Sequence, residues 1–407
     1  MLKIERGIAR LLTATAIAAL GVATASFAQP PAGGAPGGPG AGPPRPSYDY
    51  NKSDRTAEDK ALQNPFASNN GWYEMPAGRY IGGISGIEID KKDGKSLWIF
   101  ERCGGRDMCV GNHVDPIIHF APDGKILKMF GKDEVAYPHG LYVDPDNNVW
   151  ITDLQSNMDP AARRGRPIPS QDGVAPTKKL GATVTKYSPD GKILLTIGTP
   201  GVYGNDATHL SQPSDVITDK QGNIYVADSH DSEPSNDRVV KYDKTGKFIK
   251  QWDACKPTDK SQIDCAHALA WDSKGQLYVG NRSNDSVDVY TQDGALVKSI
   301  TNWGKPSGIF IDDKDNMYVS DSQSGTGNNM KFVKGVRIGS LAEGKPKWFA
   351  PDALGNMAPW SGGSTLSPEG VTVDKDGIMY TSHVTPGGIT KWTISKTMKP
   401  FPYTPGQ

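Results

Sequence analysis

The sequence predicts an all-β protein, a six-bladed β-propeller, and three observations support that prediction. First, one pattern occurs six times: a polar residue precedes an alternating apolar strand, and an Asp, a turn and a second strand follow. Second, the copies lie about 40 or more residues apart, which is typical of propeller blades built from short strands. Third, 47 Gly and 31 Pro residues occur among 407, as expected where many short strands are joined by turns.

The first segment, residues 1–28, has the features of an export signal peptide. Lys3, Arg6 and Arg10 precede or begin an apolar stretch, and small residues precede Gln29. A membrane anchor is the alternative, but the apolar stretch is shorter than the roughly 20 residues that span a bilayer. We therefore expect a protein exported to the periplasm or the extracellular space, whose mature chain has no membrane span.

Residues 29–70 are expected to form a disordered linker, because their Pro- and Gly-rich composition gives little apolar surface to bury. The propeller is expected to occupy residues 71–407. Within it, residues 72–81 are predicted to supply the outer strand of the last blade. A ring closed in this way leaves no exposed sheet edge.

The six blades follow one another along the chain, and each begins at or beside the polar residue of the pattern. In order, they are expected to extend from Ile84 to Phe130, His139 to Ile197, Ser214 to Trp252, His267 to Ile300, Ser307 to Phe349 and Glu369 to Trp392. The Asp after each first strand, such as Asp144, is predicted to form a turn. Blade two also carries an insertion at residues 155–182, whose Arg-rich run is expected to be a solvated loop rather than a binding patch.

The four cysteines fit an oxidising compartment, in agreement with export. They form two locally spaced pairs, and we expect the disulfides Cys103–Cys109 and Cys255–Cys265. The alternative, a zinc cluster, lacks the usual spacing of ligands. Each disulfide would fix a loop that enters or leaves a blade.

The charge balance excludes one class of partner. Lys and Arg together number 45 and so do Asp and Glu, which gives a formal net charge of zero. Such a chain has no basic field for nucleic acid, so none is expected to bind. The sequence does not specify an oligomeric state.

The polar residue that opens each copy alternates in type around the predicted ring. Ser85, Ser214 and Ser307 alternate with His139, His267 and Glu369. Alternate blades of a six-bladed ring are about 120° apart and their innermost strands line the central channel, so the second set should converge on the axis. Two His and one carboxylate with an open position suit a catalytic zinc ion, and also iron or manganese. The alternative is three unrelated polar residues at strand starts.

A second set of residues ends the second strand of each copy. These residues should lie on the same face of the propeller as the proposed metal site. It includes Arg102 in blade one and Arg282 in blade four. Because Arg forms bidentate pairs with carboxylates, these residues favour a small anionic or peptide substrate above the metal; surface Arg residues at turns are the alternative. His230 and His383 are candidate acids or bases on this face, and for each of them an exposed or capping His is the alternative.

Several of these motifs together resemble a known family. Residues 138–141 (Pro-His-Gly-Leu), 266–269 (Ala-His-Ala-Leu) and 280–284 (Gly-Asn-Arg-Ser-Asn) are similar to the propeller lyase domain of peptidylglycine α-amidating enzymes. Residues 85–87 and 99–102 carry further similarity. The resemblance covers residues 72–393 and overlaps that to the broader NHL-repeat propellers.

The resemblance implies a metal-dependent lyase that converts a peptidyl-α-hydroxyglycine to a peptide amide and glyoxylate. His139 and His267 match two ligands of its catalytic zinc. Arg102 matches a catalytic Arg, and Arg282 matches the Arg that holds the substrate carboxylate. The backbone carbonyls of Ile87 and Leu141 match positions that face a second, calcium-type cation.

The sequence also departs from that family at three positions of the site. Glu369 stands where the family has a third His, and Gly370 stands where it has an acidic calcium ligand. His230 aligns with the Tyr proposed as base, and is taken here as the candidate base. Two other functions remain open: a metal-dependent lactonase or hydrolase of the six-bladed type, favoured by Glu369, and a non-catalytic NHL-type binding scaffold, which would hold no metal.

Overall fold

A computed structural model describes residues 57–105, 108–158, 178–230, 236–254, 264–324, 331–354 and 366–395. Within these residues the chain forms six sheets of four antiparallel strands each. This is the predicted six-bladed β-propeller, and the innermost strands of neighbouring blades contact one another around a central channel. The predicted signal peptide and the linker up to residue 56 lie outside the described residues.

The first elements of the chain lead into blades one to three. They are α1 (Ala57–Ala61) and β1 (Phe66–Asn69). Blade one contains β2 (Ile84–Ile89), β3 (Leu97–Glu101), β4 (Ile117–Phe120) and β5 (Ile126–Phe130). Blade two contains β6 (Pro138–Val143), β7 (Val149–Asp153), β8 (Thr183–Tyr187) and β9 (Ile193–Ile197). Blade three contains β10 (Pro213–Thr218), β11 (Ile224–Asp228), β12 (Arg238–Tyr242) and β13 (Phe248–Asp253).

The remaining elements form blades four to six. Blade four contains β14 (Ala266–Trp271), β15 (Leu277–Asn281), β16 (Ser286–Tyr290) and β17 (Leu296–Ile300). Blade five contains β18 (Gly308–Ile311), β19 (Asn316–Asp321), β20 (Gly335–Ser340) and β21 (Trp348–Pro351). Blade six contains β22 (Val371–Val373), β23 (Met379–His383) and β24 (Gly388–Ile394), with β1 as its outer strand.

The strand that closes the ring lies earlier in the sequence than expected. β1 pairs antiparallel with β24, with Phe66 opposite Ile394, so the propeller begins before residue 71 and residues 72–81 do not form the outer strand. Trp72 is instead buried between blades one and six, with its ring 5.2 Å from that of Tyr380 and 6.1 Å from that of Phe120. The apolar character of this segment therefore reflects burial between blades rather than strand pairing.

The helix before β1 is held by a buried ion pair. Asp59 of α1 accepts a hydrogen bond of 2.8 Å from Nε of Arg337 in β20. The Arg337 guanidinium also lies 3.4 Å from Asp321 and stacks on Phe332 and on Phe349. Since the Arg337 side chain is fully buried, this contact anchors the N-terminal segment to blade five.

Burial follows the order of strands within a blade. The second strand of every blade is largely or wholly buried, as β3, β7 and β11 show along their whole lengths. Outer strands such as β9 and β17 expose most of their residues. The apolar side chains between blades form separate clusters, one for each interface between neighbours, for example Trp150 of blade two with Val226 and Tyr242 of blade three. The core is therefore distributed around the ring.

The Asp residues of the repeat form turns, as predicted. In blade two, Oδ1 of Asp144 accepts hydrogen bonds from the backbone N–H groups of Asp146 (3.0 Å) and Asn148 (2.8 Å). Its other carboxylate oxygen accepts a hydrogen bond of 3.0 Å from Nε1 of Trp150. The same carboxylate thus shapes the turn and ties it to the second strand.

One of the two expected disulfides is present. Cys103 and Cys109 are bonded, with their Cα atoms 5.0 Å apart. Cys265 is a free, buried thiol, and Cys255 lies outside the described residues, so the second pairing stays a prediction. The helices in the described part of the chain are too short and too polar to cross a bilayer.

Candidate metal centre

β-Bulges in two innermost strands turn the side chains of the two predicted His ligands toward the central channel. In β6 the pairing with β7 skips from Pro138 to Leu141, and in β14 the pairing with β15 skips from Ala266 to Leu269. His139 and His267 lie in these gaps. A β-bulge re-aims side chains, and both of these residues line the central channel.

The Ser residues of the alternating set orient the His residues. Nδ1 of His139 donates a hydrogen bond of 2.7 Å to the backbone carbonyl of Ser214 in the next blade. Nδ1 of His267 makes the same bond, also 2.7 Å long, to the carbonyl of Ser307. Because a carbonyl oxygen only accepts, each Nδ1 carries the proton and each Nε2 keeps a lone pair available for a metal.

A third imidazole, that of His230, completes the cluster. The ring centroids are 4.8 Å apart for His139 and His230, 5.0 Å for His139 and His267, and 5.4 Å for His230 and His267. One ligand atom from each ring lies within 4.8 Å of the others, a spacing at which the three could hold a metal ion. His230 directly follows β11 and Ser229, so it enters from blade three rather than from an innermost strand.

Glu369, the third ligand expected from the sequence, lies beside this cluster. Its Oε1 is 3.5 Å from Nε2 of His267 and 3.3 Å from Nη1 of Arg282. Nε of Arg282 donates a hydrogen bond of 2.5 Å to the Asp264 carboxylate. Arg282 is thus at the predicted site, and its charge is shared between two buried carboxylates of the protein.

Arg102, the other predicted Arg, reaches the same end of the channel from blade one. Its Nε donates a hydrogen bond of 3.3 Å to the carbonyl of Pro138, the residue before His139. The guanidinium lies over the Tyr137 ring, 4.5 Å from its centroid. Cys103, which forms a disulfide with Cys109, follows directly, so the Arg102 backbone leads into a cross-linked loop.

Electrostatics keep two of the imidazoles uncharged. Burial lowers the pKa of His139 well below its usual value, and the neighbouring His230 and Arg102 lower it further. Burial and the nearby Arg282 act in the same way on the pKa of His267. The buried Nε2 of His267 has no hydrogen-bond partner in the described part of the protein. Neutral imidazoles with inward lone pairs are the donors that a divalent transition metal requires, so the residues present fit such an ion.

The channel below the cluster differs from the expected calcium-type site. It encloses a cavity of about 70 Å³, lined in part by Ile87 and Leu141. A Cβ atom at Gly370 would lie 2.6 Å from Cγ2 of Ile87, so no side chain fits where the family carries its acidic ligand. The channel instead contains Asp215, which sequence reasoning missed; its carboxylate accepts 2.8 Å hydrogen bonds from the N–H groups of Leu269 and Val216, and burial raises its pKa to about 7.

His383, the other candidate acid or base, lies away from the cluster. Its Nδ1 is 2.5 Å from Oγ of Ser367 and its Nε2 is 2.6 Å from Oγ1 of Thr390. Both ring nitrogens are therefore used within blade six. The residue is also buried, with 1% of its surface exposed.

Comparison with known proteins gives matches at low identity. Peptidyl-glycine alpha-amidating monooxygenase B of Xenopus laevis is 26% identical over 304 residues, which cover 67% of this chain and 31% of the relative. A probable peptidyl-alpha-hydroxyglycine alpha-amidating lyase of Caenorhabditis elegans is 24% identical over 63% of this chain and 75% of the relative. NHL repeat-containing protein 3 of Homo sapiens is 25% identical over 57% of this chain and 62% of the relative.

Among solved structures, a gluconolactonase of Xanthomonas campestris matches with a TM-score of 0.51 at 16% identity, covering 88% of this chain and 99% of that one. This likeness concerns the fold alone. No family model matches the chain. The chain spans less than a third of the length of the amidating monooxygenase, at 31%. The chain is thus a six-bladed propeller that is similar, at 24–26% identity, to amidating-lyase and NHL-repeat proteins.

Proposed function

We propose that the protein is a metal-dependent lyase that acts on an α-hydroxyglycine-type substrate and releases an amide and glyoxylate. The observation that carries this proposal is the convergence of His139, His230 and His267, whose ligand atoms lie within 4.8 Å of one another. The amidating-lyase relatives support it, since the C. elegans relative carries that activity in its name. In this proposal His230 is a metal ligand rather than the base expected from its alignment.

In this reaction the C–N bond of the hydroxyglycine breaks, the hydroxyl oxygen loses its proton and becomes the aldehyde oxygen, and the amide nitrogen gains a proton. A divalent ion held by the three His residues would supply Lewis acidity to the substrate hydroxyl. Arg102, a buried and permanent cation beside His139, would stabilise negative charge that develops on oxygen. The buried surroundings strengthen such an interaction.

The test measures glyoxylate release from a peptidyl-α-hydroxyglycine by the purified protein, with and without a chelator. We expect release that the chelator abolishes. His267→Ala should lose both bound metal and turnover, because a site with so few ligands cannot spare one. His113→Ala is the matched control, since His113 is an exposed histidine whose removal should change neither quantity. Metal-loaded protein that releases no glyoxylate would refute the lyase proposal.

A second function is favoured by one observation, the carboxylate of Glu369 beside the imidazoles. Metal-dependent lactonases of the six-bladed type use a carboxylate-rich site, so a sugar lactone is the second substrate to assay. Metal analysis of the same preparations tests the third function, a non-catalytic scaffold, which predicts no bound metal.

A further inference from the structure

The carboxylate of Glu369 faces His267 in an arrangement that calls for a cation. Because the Nδ1–H of His267 donates a hydrogen bond to the Ser307 carbonyl, Nε2 presents a lone pair. Oε1 of Glu369 lies 3.5 Å from that nitrogen. Both atoms are acceptors and both residues are buried, so His267 itself offers the carboxylate no hydrogen bond, and a positive ion between the two atoms would make the contact attractive.

The distance between these two atoms fits a shared metal ion. Ligands that bind an ion at about 2.0–2.1 Å lie roughly 3.4 Å apart in tetrahedral geometry and roughly 3.0 Å apart as neighbours in octahedral geometry. The observed 3.5 Å lies within about 0.5 Å of both separations, so one ion can bridge the two atoms in either geometry after a small adjustment. The same cation would then be shared with His139 and His230, which already meet His267.

Arg282 holds the carboxylate in this position. Its Nη1 is 3.3 Å from the same Oε1 of Glu369, and its Nε is fixed by Asp264 at 2.5 Å. Carboxylates that bind metals are commonly oriented by a hydrogen bond from a neighbouring residue. Arg282 would thus act as a positioning residue for Glu369, and its role in holding a substrate carboxylate stays a prediction.

We propose that Glu369 is a fourth ligand beside His139, His230 and His267, and that the site therefore takes an ion with more than four coordination positions, such as Mn²⁺, Fe²⁺ or Co²⁺. Four protein ligands fill a tetrahedral zinc ion and leave no place for substrate. A six-coordinate ion keeps two positions open. This inference rests on the metal site of the proposed function and adds its fourth ligand and its metal class.

The test uses metal-depleted full-length protein titrated with Co²⁺, read out by affinity and by visible absorption. Tetrahedral Co²⁺ absorbs strongly and six-coordinate Co²⁺ weakly, so we expect a weak spectrum for the unchanged protein. Glu369→Ala should lower the Co²⁺ affinity at least about tenfold and alter the spectrum. Glu369→Gln keeps the shape and a hydrogen-bond acceptor for Arg282, and should also lower the affinity, which covers the case in which the Ala variant does not fold.

Glu88→Gln is the matched control, because Glu88 also lines the channel but lies in blade one, bound to Lys91 and Thr372. Its Co²⁺ affinity should equal that of the unchanged protein. Unaltered affinity and spectrum in both Glu369 variants, or a strong tetrahedral spectrum in the unchanged protein, would overturn the inference while leaving the lyase proposal standing. Protein that binds no Co²⁺ at all would overturn both.

Discussion

At the scale of single residues, His267 and His383 are both buried but differ in how their ring nitrogens are used. Both nitrogens of His383 contact hydroxyl groups, those of Ser367 and Thr390. His267 uses only Nδ1, and its Nε2 faces the other imidazoles and Glu369. The first arrangement stabilises a neutral ring within the fold, whereas the second leaves a donor atom for a metal.

The ring of His383 should make the protein sensitive to acid. Burial lowers its pKa from the ordinary 6.5 to about 3. Below pH 6.5 this His therefore binds a proton in the unfolded chain but not in the folded protein. The free energy of unfolding falls as the pH falls, and the loss is complete near pH 3. At about 1.4 kcal/mol per pH unit, the full shift of this one group from 6.5 to about 3 accounts for roughly 5 kcal/mol.

The measurement is urea unfolding between pH 7 and pH 4 for the metal-free protein and for His383→Gln. Gln keeps hydrogen-bonding groups but does not titrate, so the variant should lose stability less steeply with acid. The contributions of His139 and His267 are present in both proteins and cancel in the comparison. Equal slopes would show that His383 is not the group responsible.

The sequence predicted His139 and His267 as metal ligands but gave His230 a different role, for a physical reason. His139 and His267 occupy equivalent positions in a repeated pattern, so the symmetry of the ring alone brings them together. His230 follows a second strand, and its place depends on the path of a loop that has no periodic signal. Its nearness to the other two rings therefore became visible only in three dimensions.

At the scale of elements, the ring is closed by a strand with a weak sequence signal. β1 is the four-residue segment Phe-Ala-Ser-Asn, and only Phe66 is even partly buried. β1 pairs with β24 in a register that runs from Phe66 opposite Ile394 to Asn69 opposite Lys391. The apolar pattern that revealed the blades is absent here, because the strand lies at the outer edge where alternation is not required.

Removing this strand should destabilise the propeller. A chain that starts at Ala57 keeps α1 and β1, whereas one that starts at Asn70 loses both, together with the Asp59–Arg337 ion pair. Loss of one partner of a buried ion pair costs about 3–5 kcal/mol, so the shorter chain should melt roughly 5–10 °C lower. Thermal unfolding of both chains measures this.

Asp59→Ala in the longer chain separates the two contributions, because it removes the ion pair and leaves β1 in place. We expect it to lower the melting temperature by less than the truncation to Asn70. If the chain from Asn70 melted at the same temperature as the chain from Ala57, β1 would not close the ring in solution.

At the scale of the whole molecule, the six-fold arrangement was predictable because its signal is local and repeated. Each blade places an apolar strand, an Asp turn and a second strand next to one another in sequence, and those pairs form the inner half of every sheet. The contacts between blades join residues far apart in the sequence, so they carry no local signal. At Gly140 of blade two the backbone comes within reach of Ser214 in blade three.

This close approach couples ring packing to the metal centre, and Gly140→Ala tests the coupling. A Cβ atom at this position would lie 2.6 Å from the Ser214 carbonyl oxygen, the atom that accepts the hydrogen bond from His139 Nδ1. Blades two and three would have to separate, which typically costs about 1–3 kcal/mol for an overpacked core. The displaced carbonyl should also misorient the imidazole and weaken Co²⁺ binding about tenfold or more.

Gly71→Ala is the control, because the nearest atom to a Cβ added at Gly71 would be 4.0 Å away. Chemical unfolding and Co²⁺ titration of both variants should show loss of stability and of affinity in Gly140→Ala alone. A Gly140→Ala protein that is destabilised but binds Co²⁺ normally would mean that the Ser214 carbonyl does not orient His139 for the metal.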